Sequence, residues 1–295
     1  MSSQMRYLTT TDGRQLELLS LGDPDGFGLL FHHGTPGAAP LARFLEPLAL
    51  QRGYRVVAMS RAGYGKSDRR QGRAICDVVP DATNALDFLD MSSYLSVGWS
   101  GGGPHALACG ALDAPRCRGV VSLAGVAPYS GTFEWTEGMG PENIEEMNLA
   151  LKGGDEYEAH IKSVSDAGRE VTVDSVIELF GGLLSPVDKD ALADDQARSQ
   201  LAEAMRYSGV ISHYGFLDDD QAFLRPWGFD LSDVQTPTEI WFGDHDLMVP
   251  PTHGNFLAAA IPAARRVHLP DEGHVSLITR HLDMLFDHLD EMRKS

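Results

Sequence analysis

Short apolar runs alternate with amphipathic stretches over the first 127 residues. Residues 14–20 and 27–32 are apolar runs bounded by Asp, Gly and Pro, the pattern of strands. Residues 41–51 carry apolar positions at helical spacing and stop at Gly53. Residues 54–59 form the unbroken apolar run that a parallel strand buried on both faces requires. A helix is expected over 81–91, a strand over 94–98, a helix over 102–112 and a strand over 118–124. This rhythm predicts βαβ units, hence an α/β fold with a mostly parallel sheet and helices on both faces.

The strand pattern then lapses. Residues 143–152, 156–167, 174–180 and 196–208 read as amphipathic helices, punctuated by Gly153-Gly154, Gly181-Gly182 and Ser185-Pro186. The alternation resumes with a strand over 237–242, a helix over 251–261, a strand over 265–269 and a helix over 275–292. The expected organisation is a core of residues 1–127 and 227–295, interrupted by a helical insertion over 128–226.

Length and composition narrow the function. A chain of 295 residues with 43% hydrophobic and 22% charged residues suits one large globular domain with an insertion. No apolar run approaches the roughly 18 residues of a membrane span. The start lacks the apolar segment of a secretory leader. Cys76, Cys109 and Cys117 are too few and too scattered for a disulfide framework, so reduced thiols and a cytoplasmic location are expected. The net charge of −18 disfavours nucleic acid and anionic membrane as partners. A small molecule is the expected partner, and a homodimer is admitted. Residues 129–225 hold 20 acidic against 7 basic side chains, a net of −13 within that total. That surplus reads as a solvated face, or as a field over a cleft that favours neutral or cationic substrates.

The strongest chemical signal is Gly98-Trp99-Ser100-Gly101-Gly102, placed between an expected strand and an expected helix. A serine on such a sharp turn exposes its hydroxyl above the sheet through a strained backbone. The residues two before and two after it crowd together, and glycine at 98 and 102 removes the Cβ atoms that would collide. His33-Gly34-Thr35-Pro36-Gly37 follows an earlier strand and could aim a backbone N–H at an oxyanion. Thr35 is the candidate there, and Gly101 supplies the second N–H. Gly243-Asp244-His245-Asp246 follows a buried strand and offers two carboxylates, between which spacing alone does not choose. Gly273-His274 follows the last strand and offers an imidazole. Ser100 is then the candidate nucleophile, His274 the general base and an aspartate its orienting acid.

These motifs resemble those of the α/β-hydrolase superfamily with a helical cap: His33-Gly34-Thr35-Pro36, the Ser100 elbow, Gly243 to Pro250 and Gly273-His274, spread over residues 5–290. More narrowly, Ser100 to Ala106 and Pro226 to Asp230 resemble stretches of a group of bacterial hydrolases. The resemblance implies an eight-stranded sheet, hydrolase chemistry without a cofactor or metal, and Asp246 rather than Asp244 as the acid. It implies ester cleavage ahead of amide cleavage, through an acyl-enzyme. Ser100 stands where members that open epoxides or remove halide carry aspartate. The likeness to proline iminopeptidases is partial, because Thr35 and Trp99 depart from their motifs. A peptidase whose acidic cap binds the substrate amine is the alternative. A ligand-binding protein without turnover is a further one, against which a complete Ser, Asp, His set argues. Trp99, Met248 and Val275, beside these positions, are candidates to line the acyl pocket.

Other signals are set aside. Gly65-Lys66-Ser67 lacks the upstream glycine of a phosphate loop, whose place Ser60 holds. The glycines after Ser100 fit a dinucleotide pattern, but the next strand ends without the acid such a site needs. Asp244, His245, Asp246 and His253 match no metal spacing. His105, one turn into the helix after Ser100, is expected to pack or hydrogen-bond away from the hydroxyl.

Overall fold

The computed structural model describes residues 5–130 and 132–294. Residues 1–4, part of the stretch in which no leader is expected, residue 131 of the expected insertion and residue 295 lie outside it. Eight strands form one sheet: β1 (Met5–Thr9), β2 (Gln15–Gly22), β3 (Phe27–His32), β4 (Tyr54–Met59), β5 (Tyr94–Trp99), β6 (Cys117–Leu123), β7 (Thr238–Gly243) and β8 (Ala264–Leu269). Their order is β1-β2-β4-β3-β5-β6-β7-β8. β2 runs antiparallel to both neighbours, and every pairing from β4 to β8 is parallel. This is the α/β-hydrolase fold, as the sequence leads one to expect.

Helices α1 (Glu46–Arg52), α2 (Val78–Phe88) and α3 (Gly103–Leu112) connect the central strands. Between β6 and β7 the chain makes α4 (Pro141–Lys152), α5 (Gly154–Glu170), α6 (Val176–Phe180), α7 (Pro186–Ala191), α8 (Asp195–Ser208) and α9 (Tyr214–Phe223). After β7 come α10 (Pro251–Ala260), α11 (Ser276–Thr279) and α12 (Leu282–Lys294).

β3, β4, β5 and β7 are buried along nearly their whole length because helices cover both faces of the parallel sheet. β1 escaped the sequence reading for the opposite reason. It is a half-exposed edge strand with Arg6 and Tyr7 facing out, so it lacks the run that marks a buried strand. The expected helix over 41–51 is split: a 3-10 segment spans Ala39–Leu45, and the α-helix begins at Glu46. The expected helix over 275–292 breaks at Arg280 and His281 into α11 and α12. Two helices, α7 and α9, had no counterpart in the sequence reading.

The fold positions the site through the loops at the carboxyl ends of parallel strands, where side chains from distant segments meet. The loops after β3, β5, β7 and β8 all leave the sheet on that edge.

The far flank of the sheet is closed by α12, where Phe286 is fully buried and meets Tyr54 edge-on at 5.6 Å between ring centroids. Phe286→Ala should lower the free energy of unfolding by about 3–5 kcal/mol in urea titrations. A loss under about 1 kcal/mol would contradict this packing.

Candidate active site

Ser100 leaves β5 with φ of +57°, a left-handed backbone that few non-glycine residues adopt. The glycines around it make room for that turn. A Cβ on Gly98 would strike the Gly102 carbonyl, and one on Gly102 would strike the backbone of His32 and His33. The elbow is therefore pressed against the end of β3. A Cβ on Gly101 would meet the side chains of Thr35 and Phe223, so the loop after β3 and the insertion both abut the residue that follows the serine.

The loop after β3 is held by buried charge. Arg61 donates to the carbonyls of His33 and Gly34, the latter at 3.0 Å, and to Thr35 Oγ1 at 3.1 Å. The Arg61 N–H also reaches His33 Nε2 at 3.1 Å, while His33 Nδ1 donates to Gly34 O at 2.7 Å. His33 is thereby fixed as the neutral Nδ1-protonated tautomer, and burial followed by the Arg61 charge keeps its pKa well below the usual histidine value. Arg61 thus braces this loop from the end of β4. The Thr35 N–H has no acceptor among the described residues.

Asp219 of α9 completes this cluster. It is fully buried, accepts from Thr35 Oγ1 at 2.6 Å and from Tyr64 at 2.9 Å, and pairs with Arg61 and Arg73 at 2.6 Å each. Burial would raise its pKa, but the two guanidinium groups hold it well below the carboxylate range. His105 donates from Nδ1 to Gly101 O at 2.9 Å, away from the serine hydroxyl.

The two candidate carboxylates occupy different surroundings. Asp246 is buried; its Oδ2 lies 2.8 Å from His274 Nδ1, and its Oδ1 accepts from the N–H groups of Met248 and Val249 at 2.8 Å each. Asp244 is exposed and bonds His268 at 2.8 Å. So the structure brings Asp246, not Asp244, to His274. The ring of His274 lies tilted against Trp99 at 5.3 Å between centroids, and Trp99 Nε1 donates to the His274 carbonyl at 3.2 Å. Ser100 and His274 line one small void together with Trp99, Met248 and Val275. Among the described residues the ring's hydrogen bond is to Asp246, and none joins it to the Ser100 hydroxyl.

Beyond Ser100 a cavity of about 240 Å³ opens under the insertion. Its walls include the apolar Trp135, Met205, Phe216 and Met248, and the carboxylates of Glu146 and Asp220. Burial pushes Glu146 up to about 8. Burial and the Glu146 charge raise Asp220, which also accepts from Tyr157 at 2.9 Å. One edge of the cavity is pinned by His253, whose Nδ1 accepts from Ala127 N–H at 3.0 Å while Nε2 donates to Trp135 O at 2.8 Å. Among the described residues no cluster of three or more His, Cys, Asp or Glu is placed to hold a metal ion. Nor is any helix there long and apolar enough to cross a membrane.

Known proteins share this framework. Residues 29–151 match the model of a family described as alpha/beta hydrolase fold. A non-heme chloroperoxidase of Burkholderia pyrrocinia is 30% identical over 255 residues, covering 83% of this chain and 84% of that protein. A second non-heme chloroperoxidase, from Streptomyces lividans, is 29% identical over 150 residues, and the match spans only 54% of its length. A proline iminopeptidase of Neisseria meningitidis is 24% identical, covering 97% of this chain and 95% of that protein. Among solved structures, the enol-lactonase from Burkholderia xenovorans LB400 superposes with a TM-score of 0.67 at 20% identity, covering 98% of this chain and all of that one.

Burial alone would lower the pKa of His274, but the charge and hydrogen bond of Asp246, with a smaller contribution from Asp188, outweigh it and the net shift is upward. A proton-linked stabilisation follows. It is fully present below the unfolded value of about 6.5 and is lost as pH rises through the higher folded value. An NMR titration of His274 should report a pKa above 6.5, and Asp246→Asn should bring it down. A wild-type value below 6.5 would contradict the pairing.

Proposed function

The chain belongs to the α/β-hydrolase superfamily, and on that premise we propose that it is a serine hydrolase that cleaves carboxylic esters through an acyl-enzyme. The observation that carries the reading is the buried Asp246–His274 pair at the wall of the void that Ser100 also lines. His274 accepts the Ser100 proton at Nε2 as the serine oxygen attacks the ester carbonyl. Asp246 at Nδ1 holds the tautomer and stabilises the imidazolium. The N–H groups of Thr35 and Gly101 receive the oxyanion. The imidazolium then protonates the departing alcohol, and water repeats the sequence to release the acid. Trp99, Met248 and Val275 flank the acyl group. No metal or cofactor is assigned a part.

A second reading is an aminopeptidase on the same three residues. Glu146 and Asp220 favour it, since they share the cavity with Ser100 and a deprotonated pair would hold a substrate ammonium. The Neisseria relative is described as a proline iminopeptidase. The ester reading stands ahead of it because burial works against the charged form of both carboxyl groups, pushing Glu146 up to about 8 and Asp220 upward, and the other cavity walls are mainly apolar.

Ser100→Ala should lower kcat on p-nitrophenyl esters by roughly 10⁴-fold or more, and abolish labelling by a fluorophosphonate. Asp246→Asn should cost about 10⁴-fold, and Asp244→Asn less than about threefold, because its carboxylate serves a surface histidine. Reversal of the two aspartate effects would remove Asp246 from the mechanism. Faster turnover of aminoacyl-nitroanilides than of any ester in a graded series would replace the ester reading by the peptidase one. Absence of both labelling and turnover in the wild type would leave a binding protein.

A further inference from the structure

The carboxylate of Asp188 has no part in the steps above. It belongs to α7 of the insertion and is fully buried, yet its oxygens face the core loop that carries His274. Oδ2 accepts from the His274 N–H at 3.1 Å. Oδ1 accepts from the N–H groups of Val275 at 2.8 Å and Ser276 at 2.9 Å. The Ser185 hydroxyl donates to Oδ2 at 2.8 Å and steadies the carboxylate from its own helix. Three consecutive backbone donors, more than 80 residues along the chain, converge on one side chain. Such a row of N–H groups is an anion-binding concavity, and an ionised carboxylate is its natural occupant because it only accepts.

The approach is close enough to dictate the neighbouring residue. A Cβ on Gly273 would strike both oxygens of Asp188. The Gly273 N–H turns instead to Ser276 Oγ at 2.8 Å and closes the loop. The glycine of the Gly273-His274 pair thus makes room for a side chain of the insertion.

We propose that Asp188 is a positioning residue: it holds the His274 loop in its working geometry, so that the insertion is a structural half of the general base and not merely its cover. The proposal rests on the serine-hydrolase reading, since that reading gives His274 a proton to carry. Around His274 the restraints are complementary. Asp246 fixes the ring through Nδ1, Trp99 fixes the backbone carbonyl, and Asp188 fixes the backbone N–H. Displacement of the loop would move Nε2 relative to the serine oxygen, and proton transfer is steep in that distance. The charged groups that face His274 are Asp246 from the loop after β7 and Asp188 from α7; the Glu272 carboxylate on the same loop is turned to His281 at 3.0 Å and Arg280 at 3.5 Å.

The test compares wild type with Asp188→Asn, a near-isosteric change that removes the charge and replaces one acceptor by a donor. Steady-state kinetics on p-nitrophenyl esters should show kcat lowered by roughly 10²-fold, with KM within about threefold. The acid limb of the pH profile should move to lower pH, which loss of packing alone would not cause. A folded Asp188→Asn enzyme with unchanged kcat and an unchanged acid limb would overturn the proposal. Amide hydrogen exchange gives a readout independent of turnover: in the wild type the N–H groups of 274–276 should exchange no faster than those of α8. Rapid exchange there would overturn the proposal even if the variant does not fold or the wild type hydrolyses nothing in the panel. Slow exchange in an inactive wild type would keep the Asp188 clamp and sink only the hydrolase reading.

Discussion

The site depends on the close approach of two backbones, the elbow at Ser100 and the end of β3. Gly102 sits against the carbonyls of His32 and His33, and Gly98 against the carbonyl of Gly102. A Cβ at Gly102 would push the elbow off the end of β3, and one at Gly98 would spread the elbow itself. The left-handed φ at Ser100 is the local strain that this contact sustains. The compensation lies around it. β5 is paired on both sides by parallel strands, so the carboxyl end that launches the turn cannot drift. His105 holds the Gly101 carbonyl from the helix that follows.

The same elements explain which parts of the protein were legible in the sequence. The central strands and the helix after Ser100 are read correctly because their patterns are local: apolar runs, a glycine stop, a strand–turn–helix boundary. Asp244 and Asp246 could not be separated locally, because both follow the same strand and differ only in which way the turn sends them. Asp246 folds inward, where its second oxygen accepts from the two following N–H groups; that turn geometry has no sequence signature stronger than the resemblance to a family.

Residues that act between the core and the insertion were illegible for a related reason. The run Asp218-Asp219-Asp220 belongs to the acidic surplus that reads as a solvated face, yet all three are buried. Asp218 pairs with Arg69 at 2.8 Å, Asp219 with Arg61 and Arg73, and Asp220 accepts from Tyr157. Charge in sequence does not mark exposure when the partners lie 63 to 158 residues away. Ser185-Pro186, which reads as punctuation in the sequence, is a helix start: Ser185 caps α7 and Pro186 occupies its first turn. Part of the acidic surplus of the insertion is therefore internal structure and not a field over a cleft.

Magnitudes decide what kind of motion this arrangement permits. A lid held by surface ion pairs opens readily, because each pair contributes at most about 1 kcal/mol. Here α9 is joined to the core by a carboxylate shared between two buried guanidinium groups, and stranding such a charge costs about 3–5 kcal/mol. Lifting α7 would also orphan three backbone N–H groups at His274, Val275 and Ser276, each costing about 1–3 kcal/mol if left without water. Rigid-body opening of the whole insertion thus competes with a large part of the stability of an ordinary domain. Among the described residues the half-exposed stretch of α6 and the glycines at 181 and 182 carries no ion pair to the core, and Phe180 and Leu183 there line the cavity. The buried charges thus separate two tasks that a single moving lid would combine: α7 and α9 hold the loops of His274 and Thr35, while other helices of the insertion line the cavity.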